Sequence, residues 1–169
     1  STIDYRHPLK YQERRRRGVK KAQKSNYLVN ESRDVQGFWQ ILEKNLNEQH
    51  KTQPTHSLEE IQFLQGKFPD NIRLFAAHSG PTMDAGVVVF ETTTVCHLQY
   101  IAASPVGKET GALDLTIDHV IQHYQNSKRY FDFGISTEDG GKILNQGLIE
   151  QKEGFGARAT NYDIYRIDL

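Results

Sequence analysis

A single cysteine among 169 residues excludes an intramolecular disulfide. Cys96 sits in an apolar run with Val95 and Leu98, which predicts a buried small hydrophobe in a reducing compartment. Charge of one sign is also lacking. Lys plus Arg and Asp plus Glu stand at 21 each, so no global field draws the chain to nucleic acid or an anionic membrane. No run approaches the roughly 20 apolar residues that span a bilayer, and the basic N-terminal residues lack a signal peptide's apolar segment. The expectation is a cytoplasmic domain without membrane insertion. A Walker loop, an HExxH helix, a Ser-His-Asp series and a cysteine cluster are all missing, which counts against hydrolases and nucleotide-hydrolysing enzymes.

What is present is ordinary globular composition, 37% hydrophobic and 25% charged, enough for one packed core across residues 1–169. The chain opens at Ser1 and runs at once into charge, as an excised part of a longer protein would. Residues 11–24 hold Arg14, Arg15, Arg16, Arg17, Lys20, Lys21 and Lys24 and predict a basic helix; residues 26–31 predict a short strand. From Asp34, an N-cap, apolar residues recur every three or four positions to about residue 50. Ser57-Leu58-Glu59-Glu60 is a capping box opening another helix. The period then changes, and residues 72–77, 86–91 and 95–103 predict three strands in a meander. An amphipathic helix over 111–125, entered through a loop at 104–111, precedes a strand at 129–135. A short helix at 142–152 and a terminal strand over 159–169 complete an α+β order around a central sheet.

Several residues carry candidate chemistry. The glycine-containing stretch from Ser104 to Ala112 precedes a helix whose free amides suit a phosphate, with Lys108 adding charge; an ordinary strand-to-helix turn is the competing reading. The basic helix suits either phosphates or a solvated interdomain face. His119 and His123 have metal-ligand spacing but no third ligand, so no metal is expected. On the strand over 95–103, alternation puts His97, Gln99 and Ile101 on one face and Leu98, Tyr100 and Ala102 on the other. His97 and Tyr100 are candidates for a general base or a substrate-positioning group, against a hydrogen-bonded sheet histidine and a core tyrosine.

The segments Tyr130-Phe131-Asp132-Phe133-Gly134, Leu144-Asn145-Gln146-Gly147 and Lys152-Glu153-Gly154-Phe155-Gly156 resemble the closing part of FemAB-like and BioF2-like members of the GNAT superfamily. The Arg14 to Ala22 stretch resembles the helix that begins the second half of such proteins, so the resemblance covers nearly the whole chain. It implies a GNAT fold, a mixed, mostly antiparallel sheet flanked by helices. It implies an N-acyltransferase of bacterial cell-envelope or polysaccharide biosynthesis, with acyl-CoA, such as acetyl-CoA, as co-substrate and a small-molecule amine or sugar-amine as acceptor. Carried over by position, Tyr100, Ile101, Ala102 and Ala103 meet the pantetheine, and Gly107, Lys108, Thr110, Gly111 and Ala112 meet the pyrophosphate. Asn145 stands where relatives often place an acid for the leaving thiolate. The loop departs from the usual Gln/Arg-x-x-Gly-x-Gly/Ala pattern, and Glu109 lies within it. Two alternatives stay open: Fem-type transfer from aminoacyl-tRNA, and a catalytically silent domain binding a partner. A second GNAT domain in a longer chain is the expected partner.

Overall fold

The computed structural model describes residues 1–161, 163 and 165–167. Its centre is a six-stranded sheet in the order β1-β6-β5-β4-β3-β2. The strands are β1 (Thr2–Asp4), β2 (Leu28–Ser32), β3 (Ile72–Ser79), β4 (Thr82–Glu91), β5 (Val95–Ala103) and β6 (Tyr130–Asp132). The expected meander forms β3, β4 and β5, paired antiparallel. Only β5 and β6 pair in parallel, because α4 (Pro105–Thr110) and α5 (Ala112–Tyr124) cross over between them.

The helical stripes cover both faces. On one, α2 (Val35–His50) and α3 (Leu58–Lys67) bury Phe38, Trp39, Leu42 and Ile61 against Leu74, Val88 and Tyr100. The predicted start signals are realised: Asp34 accepts from the Gly37 amide, and Ser57 and Glu60 close the capping box, a device that stabilises a helix by about 1 kcal/mol. On the other face α5 packs Ile117, Val120, Ile121 and Tyr124 onto Phe75, Val87, Val89 and Cys96. The basic helix α1 (Glu13–Lys24) lies across α5, burying Val19 and Ala22. Cys96 is fully buried, and burial pushes its thiol up from the ordinary value.

The structure corrects several sequence expectations. The loop over 104–111 is mostly helix: Ser104 Oγ accepts from the Gly107 amide and starts α4, with Pro105 at its first position. The last helix begins later than residue 142. Residues Thr137–Glu138 (β7) and Ile143–Leu144 (β8) form a hairpin around a 3-10 turn, and α6 spans Gln146–Gly154. Strand β1 was not foreseen; three residues carry too little period to be seen, and only pairing with β6 defines them. The described residues of the terminal strand expected over 159–169 belong to no strand, Arg158 making an isolated bridge to Thr2. Tyr162, Ile164, Asp168 and Leu169 lie outside the described residues.

Strict alternation along β5 also fails. Val88 pairs with Tyr100 and Val89 with Leu98, so Gln99 is an extra residue, a β-bulge. Leu98 consequently packs with Cys96 on the α5 side, whereas Tyr100 and Ala102 face α2.

Candidate active site

The site forms where β5 and β6 part. Their parallel pairing runs only through Val95↔Tyr130, Cys96↔Phe131 and His97↔Asp132. Strand β6 ends at Asp132, while β5 continues six residues to Ala103. Beyond His97 that edge of β5 has no neighbour in the sheet, and on its other side the bulge leaves Gln99 out of the ladder with β4. A wedge opens between the strands, and the sheet leaves backbone groups of β5 at its apex unpaired among the described residues.

Two cavities meet at this wedge. The larger, about 1040 Å³, reaches Thr55 and Tyr100 and is bounded by the residues that follow β6 and by the hairpin. The smaller, about 160 Å³, lies under α5 and α6 and is lined by Ile101, Ile117, Leu148, Gln151 and Lys152. Leu98, Gln99 and Phe133 line both. The larger chamber thus adjoins a narrow, mainly apolar one across Leu98, Gln99 and Phe133.

At the junction the register sets His97 beside Asp132, and His97 Nδ1 is 2.7 Å from Asp132 Oδ2. An ionised carboxylate only accepts, so Nδ1 carries a proton, and in the neutral imidazole the lone pair is then on Nε2. Half-burial would raise the Asp132 carboxyl, but the His97 hydrogen bond, the Gly134 amide and nearby positive charge outweigh it and hold the group below its ordinary value. Thr2 Oγ1 donates to its other oxygen at 3.3 Å. The pair has the form of a base held by an orienting carboxylate.

The other nominated groups are placed as follows. Tyr100 lines the larger cavity, its ring edge-on to Trp39 at 5.1 Å. Its hydroxyl is 2.6 Å from His56 Nδ1 and accepts from the His56 amide at 3.2 Å. Asn145 caps α6: its Oδ1 accepts from the Leu148 amide and its Nδ2 donates to Glu138 at 2.5 Å. Its side chain is engaged away from the wedge and lines neither cavity. Ile101 lines the smaller cavity, whereas Ala102 and Ala103 are buried in the cores on opposite faces.

The loop assigned by resemblance to pyrophosphate is closely packed. A Cβ on Gly107 would stand 2.1 Å from the Asp84 carbonyl oxygen, and one on Gly111 2.5 Å from the Gly18 carbonyl oxygen. Gly111 also holds φ at +83°, a left-handed conformation that ends α4 and begins α5. The buried Asp84 carboxylate accepts from Ser104 Oγ at 2.6 Å and from the Tyr27 hydroxyl at 3.0 Å. Thr110 Oγ1 donates to that hydroxyl, Lys108 Nζ donates to Asn45 Oδ1 at 3.0 Å, and Ala112 is fully buried. On the α1 side, Arg15 pairs with Asp114 at 2.6 Å and lies over the Phe155 ring, and Lys21 Nζ donates to the Glu109 carbonyl. His119 and His123 stack beside Phe75, and no group of three or more potential metal ligands exists among the described residues.

Three site residues were not nominated from sequence. Gln99 is defined by a bulge, which has no sequence code. Asp132 sits within the Phe-Asp-Phe-Gly segment and gains a role only when β5 pairs with β6. Lys152, 8% exposed, donates to the carbonyls of Gly134 and Ile135. Burial lowers its pKa, partly offset by Asp132. Its sequence neighbours Glu150, Gln151 and Glu153 are polar and read as a surface face, so nothing in the sequence signalled its burial.

Residues 9–139 match the family model described as "Acetyltransferase (GNAT) domain". No curated protein matches the sequence. Among solved structures, FemX superposes with TM-score 0.68 at 12% identity, over 92% of this chain and 57% of that one. The C-terminal (DUF2156) domain of a putative lysylphosphatidylglycerol synthetase from Agrobacterium fabrum gives 0.59 at 10%, over 80% and 46%. An aminoglycoside acetyltransferase, meta-AAC0020, from an uncultured soil metagenomic sample in complex with sisomicin gives 0.58 at 12%, over 85% and 95%. The chain thus spans about half of the first two, and at these identities the likeness shows the fold, a mixed and mostly antiparallel GNAT sheet.

Proposed function

From the premise that the chain belongs to the GNAT acetyltransferase family, we propose that it transfers an acetyl or related acyl group from acyl-CoA to an amine acceptor. The observation that carries this reading is the meeting of two cavities at Leu98, Gln99 and Phe133, beside the His97–Asp132 pair. The acyl thioester enters through the narrow chamber along Ile101 and Leu148. The acceptor occupies the wide one. The amine nitrogen attacks the thioester carbonyl carbon, and His97 Nε2 takes its proton. The C–S bond then breaks and the thiolate leaves, protonated by water. A backbone N–H on the β5 edge that β6 leaves unpaired beyond His97 stabilises the oxyanion, and the wedge aligns the two substrates without a covalent enzyme intermediate. Ile101 contacts the donor directly. Ala102, Ala103 and the Gly107 to Ala112 loop shape the wedge's end rather than filling it.

We extend the proposal to a cytoplasmic, bacterial role in cell-envelope or polysaccharide synthesis, as the sequence resemblance implies; a second domain in the full-length protein is supported by the chain spanning only about half of FemX and of the lysylphosphatidylglycerol synthetase domain. The sisomicin-bound neighbour supports a small-molecule amine. Titration calorimetry with acetyl-CoA tests the donor. Binding in the micromolar range, abolished by Leu148→Trp in the narrow chamber, is expected; no binding, or binding indifferent to that change, overturns the reading. Gly111 makes a poor probe, since any side chain there meets Gly18.

One observation favours the Fem-type alternative. The pyrophosphate loop is occupied by contacts within the chain, while Arg14, Arg16, Arg17, Lys20 and Lys24 of α1 are exposed. Salt-sensitive binding of charged tRNA, lost on replacing Arg14, Arg16 and Arg17 by Ala, would select it. Neither donor binding would leave the silent, partner-binding domain.

A further inference from the structure

We infer that Gln99 is a further catalytic residue, its side-chain Nε2–H donating to the thioester carbonyl oxygen as that oxygen gains negative charge. The inference deepens the acyl-transfer reading and rests on it. Three residues line both cavities, and two of them, Leu98 and Phe133, offer only apolar side chains. Gln99 alone brings a polar side chain to the junction. The bulge puts it there: Leu98 packs on the α5 side and Tyr100 on the α2 side, while Gln99 has no partner in β4. It is partly exposed, and no described residue forms a hydrogen bond with its carboxamide. The donors nearby are committed elsewhere. His97 Nδ1–H is held by Asp132, which leaves Nε2 to accept the amine proton. Lys152 Nζ donates to the Gly134 and Ile135 carbonyls, and the Tyr100 hydroxyl is engaged by His56. A carboxamide also donates without titrating, so it serves over the whole range in which His97 acts as a base. Developing charge strengthens its hydrogen bond in the transition state, and the effect falls on kcat more than on acetyl-CoA binding.

In the test, hydroxylamine replaces the unidentified acceptor. Its nitrogen attacks the carbonyl carbon of bound acetyl-CoA, the C–S bond breaks, and acetohydroxamate and CoA are released. Gln99→Leu should lower the rate at saturating acetyl-CoA on the order of 100-fold, with the KM for acetyl-CoA little changed. Gln99→Glu keeps nearly the shape of glutamine but only accepts, so it should do no better than Gln99→Leu, and it guards against a folding defect in the leucine variant. Infrared spectra of bound, isotope-labelled acetyl-CoA give a readout that a structural role would not move. The thioester carbonyl stretch should lie at lower frequency with wild type than with either variant. Gln99→Leu within about threefold of the wild-type rate, Gln99→Glu at the wild-type rate, or one carbonyl frequency in all three overturns the inference and leaves acyl transfer standing. Wild type that shows the lowered stretch but forms no hydroxamate upholds the contact and removes the transfer reading. Failure to bind acetyl-CoA overturns both.

Discussion

Replacing Asp132 by Asn keeps the side chain's shape and removes its charge. In the wild type the carboxylate accepts from His97 Nδ1 at 2.7 Å in a half-buried setting. A hydrogen bond to a charged group contributes about 1.5–3 kcal/mol. The part that matters for rate is what the carboxylate adds once His97 has taken the proton and become cationic. At about 1.4 kcal/mol per factor of ten, its loss lowers kcat by roughly 10- to 150-fold. The assay is CoA release at saturating acetyl-CoA with varied amine, and a thermal melt of the variant checks that the fold persists. The KM for acetyl-CoA should change little, because Asp132 lines the wide chamber and not the narrow one. In combination with His97→Gln the losses should be strongly non-additive, since the two residues act as one unit. Asp132→Asn with kcat within threefold of wild type, or losses that simply add, would refute the pairing as the base.

Gly107→Ala should destabilise the chain by about 2–3 kcal/mol, because the methyl meets the Asp84 backbone rather than a movable side chain. The thermal midpoint should fall by roughly 4–10 °C; a midpoint within a degree of wild type would show that the loop yields. Arg15→Ala should cost about 2–4 kcal/mol, since Asp114 is then left unpaired with both side chains mostly buried and the Phe155 stacking is lost. Urea titration measures it, and Arg15→Lys should recover only part, lacking the planar stack. Burial, with His123 adding to it, lowers the His119 pKa. Folding therefore disfavours its protonated form, so its contribution is intact above the ordinary value near 6.5 and declines as pH falls through the window below it. His119→Gln should flatten the stability profile below about pH 6.5, and an unchanged slope by urea titration would remove His119 as its source.

Elements with a local code were legible in the sequence. The stripe of α2 follows from spacing and the start of α3 from its capping box, while β3, β4 and β5 follow from a change of period. Each is written in residues within one or two turns, or in a short apolar run bounded by turn residues, so neighbouring residues suffice. The Phe-Asp-Phe-Gly segment indicated family and fold, and His97 was marked by being a polar residue on a central, mainly apolar strand. What only the tertiary structure decided is long-range. The bulge at Gln99 depends on β4, the pairing of His97 with Asp132 on two strands 35 residues apart, and the wedge on where β6 stops. The packed state of the Gly107 to Ala112 loop depends on Asp84 and on Gly18 of α1, neither adjacent in sequence. A glycine's freedom is the same whether it admits a phosphate or a neighbouring carbonyl, and only the fold says which one stands there.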